Sequence, residues 1–293
     1  MNKRRKTLSR DVFQVIVKFL SLNDLFSMSL TSTNMLEITR RELVSRTNLV
    51  VSGNESTRQL FLHLKRYSPS IHFIILIETL DELNWFMSNE FNLYNINFCS
   101  DFNQPIKMLP QNLKTLKFGF GFNKSIEMLP ASIQTLKFDY HFNLPLMPPP
   151  NLQTLVFGKH FNRPLLLPTS LRKLVFGNHF NLPLMLPPNL QVLKFGFCFN
   201  QPIVLPTSIR ILEFGWEFDQ PIQLPTSLCV LFFGHRFNQP ITLPQNLQTL
   251  VLGDWFSHPL MLPASLHTLT ISTHYMFLNK LRHDYPNLNI VLY

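Results

Sequence analysis

Hydrophobic and polar positions repeat along the chain from residue 102 onwards, with a period of about 20 residues. Each unit begins with a phenylalanine, found at positions 102, 122, 142, 161, 180, 199, 218, 237 and 256, and Tyr275 takes the next position of the series. The first two intervals are one position longer than the six that follow. Self-similarity at a fixed period of this length is typical of a solenoid, in which each unit forms one turn.

Each unit contains a short alternating segment that predicts a β-strand. Residues 171–176 read Leu-x-x-Leu-x-Phe, so Leu174 and Phe176 point to the same face of an extended chain. The same pattern recurs from residues 113–118 to residues 266–271. A glycine follows most of these segments and is expected to let the chain turn away from the strand.

The other half of each unit carries two prolines, such as Pro202 and Pro206. Prolines remove backbone donors and disfavour a helix, which predicts an extended return path. The strands of successive turns then stack in parallel, about 4.8 Å apart. The asparagine after the first phenylalanine of each unit is expected to form an internal ladder that bonds backbone groups, with Asp219 and Ser257 replacing it in two turns.

The segments outside the repeat follow other patterns. Residues 8–52 carry apolar side chains at helical spacing after cap residues such as Ser9 and Asn23, which predicts a module of three short helices. A basic tail, residues 1–7, precedes this module. Residues 53–98 are expected to be a linker and an N-terminal cap of the solenoid at residues 99–275. Residues 276–293, with a helix and then a strand, are expected to cap its other end.

The composition narrows the class of protein. Charged residues are 15% and hydrophobic residues 45% of the chain, a balance that argues against disorder. Three cysteines are too few for a disulfide framework, which indicates reduced thiols in an intracellular compartment. No apolar run reaches the length of a membrane span, so we expect a soluble cytoplasmic protein without a membrane partner.

The net charge of +9 is spread thinly, except at one terminal cluster. Lys3, Arg4, Arg5 and Lys6 form either a nuclear-import or phosphate-binding signal or a solvated tail, and the first reading makes the nucleus an alternative location. The basic residues do not form one stripe with interleaved aromatic side chains. We therefore do not expect nucleic acid as a partner.

The sequence offers no set of catalytic residues. It lacks a glycine-rich phosphate loop, a Gly-x-Ser-x-Gly turn and a His-Glu-x-x-His helix. Cys99 has the Cys-x-Asp spacing of the bacterial leucine-rich-repeat ubiquitin ligases, but it lies at the end of a predicted strand rather than in a helical domain. We predict that the chain is not an enzyme and uses no cofactor.

Histidines His141, His160 and His179 occupy equivalent positions in successive turns, and Cys198 takes the next one. This column is either a site for a soft metal or a plain surface ladder. Collinear stacked side chains do not make a tetrahedron, so we predict a surface ladder and no metal site.

The outward strand positions and the loop after each strand vary between repeats. Early turns carry Lys117 and Lys137, which are expected to steer the acidic side of a partner. Later turns carry large apolar and aromatic residues that predict a binding surface for a target protein, unless flanking loops cover them. The predicted target-binding residues are Ile211, Glu213, Trp216, Val230, Phe232, His235, Val251 and Trp255.

The repeat resembles a known family. The segments 102–106, 199–203 and 237–241 read Phe-Asn-Gln-Pro-Ile, a motif similar to that of the FNIP repeats, which are related to leucine-rich repeats. The resemblance extends over residues 102–275 and implies a leucine-rich-repeat-like solenoid. Known members occur mainly in social amoebae and in giant viruses of amoebae.

The N-terminal module resembles an F-box, with Leu-x-x-Asp-Val at residues 8–12 and Phe-Leu-x-Leu-x-Asp-Leu at residues 19–25. Ser9 stands where the family usually has proline. In that family this face binds the Skp adaptor of a cullin–RING ubiquitin ligase. The resemblance implies adaptor-binding roles for Leu8, Ser9, Val12, Ile16, Leu20, Leu22 and Leu25.

The sequence thus predicts an α+β protein, with a three-helix F-box-like module followed by a parallel β solenoid of 19–20-residue turns. The predicted function is that of a substrate-recognition subunit of a Skp–cullin–F-box ubiquitin ligase. Its partners are then the Skp adaptor, the cullin ligase and a target protein whose identity the sequence does not give. The alternative is a stand-alone repeat interaction module, or a decoy, without a ligase role.

Overall fold

The computed structural model describes residues 49–52, 62, 73–89 and 93–293. The chain divides into two compact units, Met1–Ile96 and Asn97–Tyr293. Apart from residues 49–52, the F-box-like module lies outside the described residues. In the described part of the chain, no helix combines the length and apolarity of a membrane-spanning segment.

The described part of the first unit contains two paired strands and a capped helix. Strand β1, Leu49–Ser52, pairs in parallel with β2, Phe73–Ile77. Helix α1, Leu80–Ser88, begins at Thr79, whose hydroxyl accepts a hydrogen bond from the backbone N–H of Glu82. The Glu82 carboxylate accepts from the N–H of Glu78 at 2.7 Å, so both side chains satisfy donors at the helix start.

A ladder of parallel strands runs through the second unit. Strand β3, Asn95–Phe98, contains the division between the units. From β4 to β13, each strand pairs in parallel with the next one along the chain. These strands are β4 Thr115–Lys117, β5 Thr135–Lys137, β6 Thr154–Val156, β7 Lys173–Val175, β8 Val192–Lys194, β9 Ile211–Glu213, β10 Val230–Phe232, β11 Thr249–Val251, β12 Thr268–Ile271 and β13 Asn289–Leu292. The predicted parallel solenoid is confirmed.

Equivalent residues of successive turns lie side by side, because the pairing joins each strand residue to its counterpart in the next repeat unit. Leu174 pairs with Leu155 on one side and Leu193 on the other. The central residue of each strand from β4 to β11 is buried and its two neighbours face outward. Helix α2, Leu278–Asp284, and strand β13 occupy the segment where the sequence predicted a helix followed by a strand.

Two columns of phenylalanine rings fill the solenoid core. One column contains the first residue of each unit, and the other contains the residue after each strand. The ring centroids of Phe195 and Phe199, which are four residues apart along the chain, lie 3.6 Å apart. Between turns, Phe199 lies 6.1 Å from Phe180 and 6.1 Å from Phe218. Every ring therefore contacts its own turn and both neighbouring turns, so no turn buries its core alone.

Close packing between neighbouring turns favours the glycine that most turns carry shortly after the strand. A Cβ atom built on Gly215 would lie 2.0 Å from the carbonyl oxygen of Gly196, and one on Gly177 would lie 2.0 Å from that of Gly158. The expectation that glycine serves mainly to turn the chain is therefore incomplete. Its main role is to let neighbouring turns approach, although Asp139 occupies this position in one turn.

The predicted asparagine ladder is present along the surface of the solenoid. The side-chain oxygen of each member accepts a hydrogen bond from the backbone N–H of the equivalent residue one turn later. Asn181 accepts from Asn200 at 2.9 Å, and Asn200 accepts from Asp219 at 3.0 Å. Because Asn103 and Asn123 are exposed, the prediction of an internal ladder is wrong in its location but right in its role.

A second ladder, which the sequence analysis missed, lies just before the strands. Serine and asparagine alternate there in most turns. The hydroxyl oxygen of Ser170 lies 2.7 Å from the carbonyl oxygens of Pro150 and Leu152, and its one hydrogen can be donated to either of them. The amide of Asn189 donates to the carbonyl of Thr169 at 3.1 Å. These bonds satisfy carbonyl groups in the proline-containing segments, which have few backbone donors of their own.

Two tyrosines fasten the C-terminal turns. The hydroxyl of Tyr275 donates to the carbonyl of His258 at 2.8 Å, and that of Tyr293 donates to the carbonyl of Leu252 at 2.6 Å. Burial raises the pKa of each of these hydroxyls to about 12. Both groups therefore keep their donor hydrogen throughout the neutral pH range.

Candidate protein-interaction surface

The predicted target-binding residues on strands lie next to one another on the outward side of β9–β11. Ile211 pairs with Val230, while Phe232 lies between Glu213 and Val251. All five are half-buried. We call these five residues the strand face.

Three aromatic side chains and a histidine lie in the loops that follow β8 to β11. We call Phe197, Trp216, His235 and Trp255 the aromatic row. The ring centroids of Phe197 and Trp216 lie 5.7 Å apart, those of Trp216 and His235 lie 4.0 Å apart, and both pairs are nearly parallel. His235 and Trp255 follow at 5.9 Å with tilted rings. The predicted residues Trp216, His235 and Trp255 are thus brought together.

The aromatic row is open to solvent. Phe197 and Trp216 are each 43% exposed and Trp255 is 55% exposed. Within the described residues, no loop covers these side chains. Phe197 was not among the predicted binding residues, although it lies one repeat unit before Trp216 and so falls in the same column.

Polar and ionic contacts hold the aromatic row in place. The ring nitrogen Nδ1 of His235 lies 2.7 Å from a carboxylate oxygen of Asp254. The guanidinium of Arg236 lies over the Trp255 ring, 5.4 Å from its centroid, and also pairs with Glu217. These contacts limit ring rotation, so a partner loses less side-chain entropy when it binds the row.

Charged groups occupy the strand positions of earlier turns. Glu213 forms an ion pair with Lys194, so this predicted binding residue already has a partner within the chain. Lys117 pairs in register with Lys137 on the next strand. Burial, and then the charges of Lys117 and Lys173, hold the pKa of Lys137 below its usual value. The lysines therefore form one positively charged patch on the early turns.

A second exposed apolar surface lies on the proline-containing half of the units, for which the sequence analysis predicted only an extended return path. We call it the return stripe, and its side chains are between 67% and 91% exposed. It consists of Met108, Met128, Met147, Leu166, Met185 and Val204. These six side chains include no aromatic ring and no charged group, whereas aromatic and arginine side chains dominate binding hot spots.

A polar groove of about 500 Å³ runs beside the strands of the early and middle turns. Its lining consists of amide, hydroxyl and cationic side chains: Lys114, Ser132, Gln134, Asn151, Gln153, Ser170, Arg172, Asn189, Gln191 and Ser208. Because the lining contains neither a carboxylate nor a histidine, these residues offer no general acid or base near neutral pH.

The histidine column lies on the same loops as the aromatic row, in earlier turns. The rings of His141 and His160 are parallel with centroids 5.4 Å apart, while those of His160 and His179 meet edge to face at 4.6 Å. Partial desolvation and the charges of His179, His141 and Lys159 hold the pKa of His160 below its usual value. Among the described residues, no group of three or more histidine, cysteine or acidic side chains has the arrangement of a metal centre.

The structure does not describe the predicted adaptor-binding residues. Leu8, Ser9, Val12, Ile16, Leu20, Leu22 and Leu25 all lie outside the residues that the structure describes. Their role therefore stays a prediction from the sequence.

Comparison with known proteins agrees with the repeat architecture. The FNIP repeat family matches residues 92–121, 161–198, 199–236 and 237–274. A solved structure described as "the crystal structure of CroV588 a novel circular LRR protein structure", from a giant virus, is similar at 39% identity with a TM-score of 0.59. The alignment covers 62% of this chain and 31% of that one, so this chain spans about a third of its length.

A search of curated proteins gave no significant match. The repeat matches, the 19–20-residue turns and the parallel strand ladder lead to the same assignment. The chain is an FNIP repeat protein with a leucine-rich-repeat-like solenoid.

Proposed function

We propose that the solenoid is a protein-interaction module that binds its partner through the aromatic row and the adjoining strand face. The observation that carries the proposal is the stack of Phe197, Trp216 and His235, which leaves large rings exposed on successive turns. Tryptophan and arginine are enriched in binding hot spots because they bury much area and also offer polar contacts. Arg236 beside Trp255 supplies both kinds of group at the end of the row.

The charge of the solenoid indicates the kind of partner. Lys117, Lys137 and Lys173 form the positive patch on the early turns, and the whole chain carries a net charge of +9. Complementary charge mainly speeds association and sets the orientation of two proteins. We expect an acidic surface on the partner to face these lysines while its apolar surface covers the aromatic row.

Removing two rings from the aromatic row is expected to abolish binding. Each hot-spot tryptophan contributes about 2 kcal/mol or more, so Trp216→Ala/Trp255→Ala should weaken the affinity by about 1,000-fold. The partner is first recovered from amoebal lysate on the intact chain and identified. Its affinity for each variant is then measured by calorimetry with the purified proteins.

A matched variant on the return stripe provides the control. Met147→Ala/Met185→Ala removes two apolar side chains that are 90% and 91% exposed, and it should leave the affinity unchanged. If the methionine variant loses binding while the tryptophan variant keeps it, the return stripe is the interface and the proposal is wrong.

The F-box-like sequence favours a more specific role for this module. We propose that residues 8–25 bind a Skp adaptor, so that a cullin ligase modifies the protein held by the solenoid. The support is the motif itself and its place before a repeat array. The chain then contributes proximity, since it raises the local concentration of the target beside the ligase. Without such binding, the stand-alone module or decoy is the better description.

Adaptor binding is expected to depend on two leucines of the F-box-like motif. A Skp adaptor co-expressed with the intact chain should co-purify with it and with the Trp216→Ala/Trp255→Ala variant, but not with Leu8→Ala/Leu20→Ala. Circular dichroism of the leucine variant checks that its solenoid remains folded. If the adaptor fails to co-purify with the intact chain, the ligase role is wrong, while the interaction surface on the solenoid is unaffected.

A further inference from the structure

Two histidines on adjacent turns place their ring nitrogens within hydrogen-bond distance of each other. Nδ1 of His160 lies 3.1 Å from Nδ1 of His179. Both residues are held in register by the backbone, because the N–H of His160 donates to Tyr140 at 3.0 Å and that of His179 donates to Lys159 at 2.9 Å. The two rings therefore come from rigid, equivalent positions of the solenoid, and a solvent-exposed edge remains beside them.

The separation of these nitrogens matches that of two ligands on one metal ion. Histidine nitrogens bind zinc at about 2.0–2.1 Å, which places two of them about 2.9 Å apart at a right angle and about 3.4 Å apart at the tetrahedral angle. The observed 3.1 Å lies between these two values. We propose that His160 and His179 form a two-histidine site for a divalent transition metal of the zinc class.

The rings of this histidine pair are not stacked in parallel, so the pair differs from the rest of the column. The rings of His160 and His179 are inclined at 83°, so they are not stacked face to face, and their two Nδ1 atoms lie 3.1 Å apart. The rings of His141 and His160 are inclined by only 3° and stack with their centroids 5.4 Å apart. The site thus belongs to one pair of histidines, not to the whole column.

The remaining coordination positions of the ion face solvent. Water fills them in the free protein, and a carboxylate or imidazole of a bound protein can replace that water. Lys159 is the nearest cation, and its ammonium donates to the hydroxyl of Tyr140 at 3.0 Å. Its charge opposes a bound cation, so the site is expected to exchange its metal readily.

Zinc titration of the full chain tests this site. Calorimetry with zinc chloride at neutral pH, with a phosphine reductant present, should show one ion per chain that the double variant does not bind. His160→Gln and His179→Gln should each weaken zinc binding about 100-fold. In either variant only one imidazole binds the ion, and the gain from a second ligand held nearby is lost. The double variant, which lacks both imidazoles, should bind zinc more weakly than either single variant, below the range of the titration. His267→Gln, which removes an exposed histidine outside the column, should leave the affinity unchanged.

Spectroscopy of bound copper gives a readout that a general loss of stability does not mimic. Cu²⁺ in the wild-type protein should show coupling to two imidazole nitrogens, and in either single variant coupling to one. Zinc binding that survives the double variant would assign the ion to other side chains and overturn the proposal. Loss of binding in His141→Gln but not in His179→Gln would also overturn it.

Discussion

Replacing Phe199 with alanine is expected to lower the free energy of unfolding of the solenoid by about 3–5 kcal/mol. The ring is fully buried, and its centroid lies 3.6 Å from that of Phe195, four residues earlier in the chain. It also stacks between Phe180 and Phe218 of the neighbouring turns. The cavity left by the ring therefore weakens both interfaces of one turn, and the surrounding backbone is too tightly packed to fill it.

The expected loss depends on where in the array the ring lies. Stability in a repeat protein is close to a sum of nearest-neighbour terms, so a defect in the middle separates two folded blocks. Phe256→Ala is the matched variant near the C-terminal end. Leu252 stands four residues before Phe256, where Phe195 stands before Phe199, so Phe256 lacks the close ring contact of 3.6 Å seen for Phe199. Its replacement should cost less.

Hydrogen exchange with mass spectrometry measures both effects in the full chain. Phe199→Ala should remove protection from the strands on either side of residue 199, while Phe256→Ala should affect only the last turns. Phe199→Leu keeps most of the side-chain volume and should behave close to wild type. Equal loss of protection across all turns in both alanine variants would contradict nearest-neighbour stability and would indicate a single cooperative unit.

The repeat made most of the solenoid predictable from the sequence. One unit specified the strand, the buried Leu174 and Phe176, and the turn length, and the recurrence of that unit specified parallel stacking in register. The same pattern of buried and exposed positions recurs in every unit, because every turn must satisfy the same packing. Local pattern and global fold therefore agreed, as expected for a sequence with few conflicts.

The interactions between turns were harder to predict, because they depend on the distance between neighbouring backbones. The approach of Gly215 to the carbonyl of Gly196 is a property of two turns together, and the sequence of one turn shows only a permissive glycine. The ladder of Ser170 and Asn189 was missed for the same reason, since its acceptors belong mainly to the preceding turn.

The sequence was sufficient to predict which residues of the candidate site lie side by side, because this depends only on their positions in the repeat. Trp216 and His235 fall into one column because they are one repeat unit apart, and Phe197 follows from the same arithmetic. Exposure was not predictable, because it depends on the path of the return segment. The near-complete exposure of Met185 is an example, since its neighbours in sequence are apolar or proline.

Replacing Asp219 with alanine is expected to lower the free energy of unfolding by about 1–2 kcal/mol. Its carboxylate accepts two hydrogen bonds at 2.9 Å, from the backbone N–H of Asn238 and from the side-chain amide of Gln239. Alanine would leave that N–H without its partner, and an unsatisfied donor costs about 1–3 kcal/mol when buried. Asp219 is half-buried, so the expected loss lies toward the lower end of this range.

Asparagine at the same position separates the hydrogen bonds from the charge. Asp219→Asn keeps an acceptor oxygen in the same place and is the residue that most other turns use, such as Asn200. Its unfolding midpoint in urea should stay close to that of the wild type, while that of Asp219→Ala should fall. If both variants lose stability equally, the negative charge rather than the ladder is the source of the stabilisation. An unchanged midpoint in both would mean that water replaces the bonds, because the ladder lies at the surface of the solenoid.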